Sequence, residues 1–492
     1  MGGGWTLCGP VLQCESQFCV ASFVEKLTLG GREATGACAA FGPCEALLRG
    51  DVLRANDSRS MKVFVMRCVL VCAAVLVCVS SFSSRALADA KGGAKVAAEA
   101  AAQPPEEILL GAPELTAGIP GEGPVSMADL QKWLADPKNH RVIKPKLPLG
   151  LAAGEGQIVG IDKNPLTRAK IELGRQLYFD PRLSADNSIS CASCHAPDRG
   201  YAKETQFGVG VKGQLGGRNS PVAYNRILSG KQFWDGRAET LEEQAKGPIA
   251  NPIEMSNTHD VCVKTVADIP GYKLQFEKIF PDGVNIDNVA KAIASFERSL
   301  VTGPSPWDYY APVLSFQKSY GSKEIDPKAL KEDDPELYAD YIKIKEASDA
   351  HPISESAIRG GELFFSDKGA CTACHVGANF TDEQYHNLGV GMNAAVPDEG
   401  RSKISGDAKE RGAFKTPTVR NVTMTSPYMH DGSQKTLEEV VEWYDKGGHP
   451  NPQLDAKVKP LKLTKEEKAD LVAFMKALTG ELPKVESGRL PE

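Results

Sequence analysis

Apolar side chains recur at helical spacing in a few separated stretches, and nowhere do they alternate as a half-buried strand would require. "NPLTRAKIELGRQLYFDPRLS" (164–184) brings Ile171, Leu173, Leu177 and Tyr178 towards one face. "VNIDNVAKAIASFERSL" (284–300) forms a second amphipathic helix, and "SESAIRGGELFF" (354–365) a third. "TKEEKADLVAFMKALTG" (464–480) has a capping box at Thr464 and Glu467, a stripe of Leu471, Phe474, Met475 and Leu478, and Gly480 as its stop. "SMADLQKWLADPKNH" (126–140) predicts one short helix with Ser126 as N-cap. The pattern predicts an all-α protein.

The first and third of these helices each run through a short loop into Cys-x-x-Cys-His: "CASCH" at 191–195 and "CTACH" at 371–375. Cys-x-x-Cys-His is the attachment motif of a c-type haem, with the two thiols bonded to the porphyrin and the histidine on one face of the iron. The layout therefore predicts two cytochrome c-like domains, each around one covalent haem c and sharing an interface. One spans 161–312, held by Cys191, Cys194 and His195. The other spans 354–482, held by Cys371, Cys374 and His375. The charged stretch 313–353 between them reads as a linker or a peripheral helical insertion.

Composition narrows the context. Thirteen cysteines occur in 492 residues, but only Cys262 lies outside both motifs in the body of the chain, so neither a disulfide scaffold nor a four-cysteine zinc site can be built there. Cys262 reads as a buried thiol. A net charge of −6 gives no footprint for nucleic acid. "MKVFVMRCVLVCAAVLVCVSSFSSRALADA" begins at Met61 with Lys62 and Arg67, an apolar run from Val69 to Val79, and an A-x-A site at Ala86–Ala88. It reads as a secretory signal peptide (61–88), with 1–60 as a non-mature or spurious extension. Export to the periplasm follows, with no stable membrane anchor after cleavage. Residues 89–160, rich in Ala, Pro and Gly at first, read as a largely flexible leader carrying the one short helix.

Two longer segments carry a family resemblance. "FWDGRAETLEEQAKGPIANPIEM" (233–255) and "FKTPTVRNVTMTSPYMHDGSQKTLEEVVEWYDKGG" (414–448) resemble the bacterial dihaem cytochrome c peroxidase family, which also contains MauG. The resemblance implies that the His195 haem is peroxidatic, with Glu254 as distal acid–base, Gln244 as distal glutamine and Trp234 as the tryptophan between the haems. It also implies a calcium ion at Asn219 and the carbonyls of Thr425 and Pro427. Without it, Trp234 would read as core packing and Glu254 as a helix-end carboxylate.

The sequence departs from the peroxidase pattern twice. Many members cap the first iron with a histidine in the loop here written "FGVGVKGQLGGRNSP" (207–221). Val211 holds that place, and no histidine lies between His195 and His259. The family's methionine ligand to the second iron would fall 14 residues after His430, where this chain has Tyr444, as MauG has; Met429 is the alternative. The implied activity is reduction of hydrogen peroxide with electrons from a small cytochrome c or cupredoxin. The alternatives are MauG-like oxidation of a protein substrate, or a non-enzymatic electron-transfer cytochrome. A homodimer is left open.

Overall fold

The computed structural model describes residues 103–322 and 324–492. The signal-peptide and extension readings fall on residues outside these. In order, the elements are β1 (Glu106–Leu109), α1 (Met127–Ala135), β2 (Ile143–Lys146), α2 (Arg168–Phe179), α3 (Leu241–Ala250), α4 (His259–Asp268), α5 (Pro270–Ile279) and α6 (Ile286–Ser299). There follow α7 (Pro306–Tyr320), α8 (Pro327–Asp333), α9 (Pro335–Asp349), α10 (Glu355–Phe364), β3 (Tyr385–His386), β4 (Phe414–Lys415), α11 (Leu437–Asp445) and α12 (Lys465–Ala477).

Each half is built on a crossed helix pair. In the first, α2 packs along α6; in the second, α10 packs along α12. Both crossings are closer than ordinary side chains permit. A Cβ on Gly174 would lie 1.9 Å from the Ala292 carbonyl oxygen and 2.9 Å from Phe296 Cβ. A Cβ on Gly360 would lie 1.9 Å from the Asp470 carbonyl oxygen and 2.9 Å from Phe474 Cβ. The same contact thus occurs twice, with glycine on the entering helix and, four residues apart on the closing helix, a backbone carbonyl and a fully buried phenylalanine. Around these crossings lie two separate apolar cores, one with Ile171, Leu177, Ile293 and Phe296, the other with Phe364, Leu471 and Phe474.

The predicted caps at Ser126 and Thr464 form as capping boxes. Gly480 does not stop α12, which ends at Ala477 with Leu478 as its C-cap. Helices occupy the charged segment 313–353, and α9 is held to α7 by Tyr341 on Phe316, ring centroids 4.9 Å apart.

Two expectations need correction. The stretch read as a flexible leader is folded from residue 103 onwards. β1 pairs in parallel with β2, and Ile108, Leu110, Leu115 and Leu147 enter the first core. Strands are also present, though each has at most four residues, too few to show alternation. A further feature had no sequence signal. After α12 the chain returns to the first half, where buried Arg175 donates to the carbonyls of Glu486 and Arg489 (2.5 and 3.0 Å) and Val125 donates to Leu490 O at 2.9 Å.

Gly360→Ala will destabilise the protein. Helix propensity favours alanine by about 1 kcal/mol, but overpacking a fixed backbone crossing costs about 1–3 kcal/mol or more. Chemical denaturation should show a net loss, whereas alanine at exposed Gly156, where an added Cβ meets nothing within 4 Å, should show none of comparable size.

Candidate functional site

The Cys-x-x-Cys-His segments form single 3-10 turns, in which His195 N and His375 N donate to Cys191 O and Cys371 O. Tyr178, on the buried face of α2, donates its hydroxyl to His195 O at 2.8 Å. In the second half Phe364, at the end of α10, packs near the His375 ring, centroids 6.4 Å apart. The helix pairs thereby fix both turns.

One continuous cavity is lined by His195 from the first half and by Cys371, Cys374 and His375 from the second. Its walls also carry Trp234, Gln244, Asn219, Thr425, Pro427, Met429 and Tyr444. Most of the sequence-predicted residues are thus gathered in one place; Cys191, Cys194 and Glu254 are not part of the lining. Glu254 lies just behind it, close enough for its charge to act on the Cys194 thiol. Asn251 Nδ2 donates to Glu254 Oε1 at 2.7 Å, and burial lifts the carboxyl above the usual carboxylate range, with Arg237 opposing. Val211, in the place of the absent histidine, is buried and donates its backbone N–H to Glu254 O at 2.8 Å. Gln214 Nε2 bonds Pro252 O at 3.1 Å, so the whole loop is tied to the Glu254 turn.

Trp234 is held at both ends. Its indole Nε1 donates to Asn219 O at 2.8 Å, and its own carbonyl accepts from Lys415 N at 2.8 Å. Asn219 N in turn donates to His430 O at 2.8 Å, and its amide nitrogen donates to Thr205 O and Gln206 O, leaving its Oδ1 without a partner among the described residues. Arg218 binds Asp235 (2.6 Å) and Asp398 (2.7 and 2.9 Å), and Lys415 Nζ binds Ser229 Oγ at 2.7 Å and Glu383 Oε2 at 3.1 Å. Residues of the two halves are therefore joined through charged hydrogen bonds on either side of the tryptophan.

The donor set suits two c-type haems. His375 Nδ1 is engaged by Phe380 O at 3.1 Å, which leaves Nε2 for a metal. His195 carries a buried Nδ1 with no partner. Tyr444, on α11, is buried enough to push its phenol pKa up, and the thiols of Cys374 and Cys371 act on it. Such a phenol keeps its proton until a cation takes the proton's place. Cys374, Asp382 and His386 also cluster within 4.8 Å, but both His386 nitrogens are taken by carboxylates, Asp455 at 2.6 Å and Asp382 at 2.8 Å. Sequence reasoning missed Arg226, Gln232, Glu297 and Lys415 on the cavity wall. Glu297 had a signal: it falls four residues after Ile293, on the apolar side of its helix.

Two domains of cytochrome c type, each carrying Cys-x-x-Cys-His with its histidine on a common cavity, define a c-type redox protein. Residues 168–313 match the family model of di-haem cytochrome c peroxidase, and 357–479 match that of cytochrome c. The methylamine utilization protein MauG of Methylorubrum extorquens is 35% identical over 332 residues, covering 67% of this chain and 83% of that protein. The cytochrome c551 peroxidase of Nitrosomonas europaea is 37% identical over 324 residues, covering 65% and 83%. A solved MauG-like protein associated with microbial copper homeostasis superposes with a TM-score of 0.54 at 28% identity, covering 66% of this chain and 93% of that one. The chain belongs to the di-haem cytochrome c peroxidase family, in which MauG is grouped. It is an oxidoreductase, and its domains imply two haem c groups. No described helix is long and apolar enough to cross a membrane.

His430 gives a pH-dependent prediction. Stacked on Phe414 with ring centroids 3.5 Å apart and buried, it has a pKa pushed down to about 4 by that burial. An unfolded histidine titrates near ~6.5. The unfolded chain therefore takes up the proton first, and stability falls with pH from about 6.5 towards about 4. Denaturation at pH 7 and pH 5 should differ by roughly 2 kcal/mol from this group, and His430→Phe should remove that share.

Proposed function

We propose that the protein is an exported, periplasmic di-haem peroxidase that reduces hydrogen peroxide with electrons from a small cytochrome c or cupredoxin. The reading rests on one observation: a single cavity touches His195, His375, Trp234 and Tyr444. The haems are bonded covalently, one through Cys191 and Cys194 and one through Cys371 and Cys374. When bound, they supply the redox-active iron for splitting the O–O bond and storing charge.

The chain's own residues then divide the work. Glu254, whose pKa burial raises, would take a proton from the near oxygen of peroxide and return it to the leaving oxygen. Gln244 orients the substrate by its amide. Trp234, clamped at its indole N–H and its carbonyl, is the π-system through which electrons cross between the halves. Val211 offers no ligand atom, and its loop is tied to the Glu254 turn, so this loop would supply no second ligand to a His195 haem and prior reduction would not be needed. Asn219 Oδ1 with the carbonyls of Thr425 and Pro427 makes a hard oxygen set for Ca2+ on the same wall. Tyr444 rather than Met429 would hold the second iron, supported by its proximity to Cys371 and Cys374. A phenolate ligand favours higher oxidation states, and that observation also supports MauG-like oxidation of a protein substrate as a second reading.

Three outcomes test this. The as-isolated ferric protein should show a high-spin signal and turn over peroxide without prior reduction; a wholly low-spin protein active only after reduction would overturn the open-site reading. Glu254→Gln should retain both haems yet slow peroxide cleavage by about two to four orders of magnitude in stopped flow. Tyr444→Phe should alter only the low-spin spectrum of the His375 haem; if Met429→Ala does so instead, the ligand assignment fails. Turnover with reduced cytochrome c separates the peroxidase reading from the MauG-like one.

A further inference from the structure

The cavity wall on the His195 side holds two polar groups that the peroxidase reading does not use. Glu297 is 5% exposed, and its Oε2 is buried with no partner. Its neighbour on α6, Arg298, has both amino groups bonded to Glu242, and its buried Nε has no partner, so it does not bond Glu297 either. Arg226 lines the same cavity. Its Nε donates to Gln232 Oε1 at 2.9 Å and its Nη2 to Gln232 Oε1 at 2.6 Å and to Ser229. Gln232 is itself locked by donating to Ser229 O at 2.9 Å. These bonds fix the guanidinium plane and leave Nη1 uncommitted. Arg226, Gln232 and Glu297 all line the cavity with His195, and Glu297 Oε2 takes no hydrogen bond from Arg226.

A half-buried arginine with a spare N–H edge and a buried carboxyl with a spare oxygen, both lining one cavity, can each hydrogen-bond an anion there. An isolated buried carboxylate would be costly. A protonated carboxyl is a hydrogen-bond donor. We propose that Arg226 and Glu297 are positioning residues that anchor the two carboxylate side chains of the first haem, Arg226 through Nη1 and Glu297 as a neutral acid donating its proton. Burial favours that neutral form, pushing the Glu297 pKa up to about 8 against Arg226 and Arg298. The charged and titratable groups facing it are Arg226, Arg298, Glu242, Tyr178 and Cys191.

The inference rests on a haem at His195, and the two can fail separately. Haem content of the purified full-length protein tests the first; the midpoint potential and high-spin ferric EPR signal of the His195 haem test the second. Arg226→Leu and Glu297→Leu each remove a group that offsets haem carboxylate charge. Both should lower the potential of that haem, Arg226→Leu the more, and broaden its EPR signal without changing that of the His375 haem. Glu297→Gln keeps a donor and should stay near the parent; Arg226→Lys keeps the charge and should restore most of the shift if Arg226→Leu folds poorly. Unchanged potentials in both leucine variants would place the carboxylates elsewhere. A rise in potential for Glu297→Leu would mean that an anion had been removed, and would overturn the neutral-donor assignment.

Discussion

The structure depends on a contact that no side chain can make. At Gly174 and at Gly360 one helix lies against the backbone of another, and the carbonyls of Ala292 and Asp470 occupy the space a methyl group would need. The rest of each half follows from that distance. With α2 tight against α6, Tyr178 reaches back to hold the His195 carbonyl; with α10 tight against α12, Phe364 stands beside the His375 ring. A looser crossing would displace both histidines from their common cavity.

Polar contacts join the halves at several points. Tyr224 donates to Arg420 O at 2.6 Å, and Arg420 pairs in two-pronged fashion with Asp308 at 2.8 and 3.0 Å, both side chains buried. Such pairs add little net stability over well-packed hydrophobic residues but tolerate few alternative registers. For the electron passage proposed through Trp234 that is the useful property: the residue is bonded on one side to residue 219 and on the other to residue 415. Its position is set by both halves at once.

Much of this was legible in the sequence, and the reason is local. A haem-attachment motif needs five adjacent residues, a capping box four, and an amphipathic helix a repeat within a dozen. Residues 103–160 hid their order because Ile108, Leu110 and Leu115 are few and scattered among glycine, proline and alanine; only the distant core of α2 and α6 makes them structural. β1 and β2 are too short for a period to emerge, and Pro145 falls within one of them. Gathering Asn219, Trp234, Gln244 and Tyr444 on one wall is likewise a property of the folded chain, reached in the sequence only through family likeness. Glu254, placed by that likeness, stands behind the wall rather than on it.

The returning tail carries a consequence for the order of events during synthesis. Arg175 is completely buried, and two of its acceptors, the carbonyls of Glu486 and Arg489, lie more than three hundred residues downstream. A chain emerging from its N-terminal end presents the first half with this arginine's pocket uncovered until the last stretch of polypeptide arrives. The half that is made first is the half that closes last, and it stays ajar for as long as the second is being made.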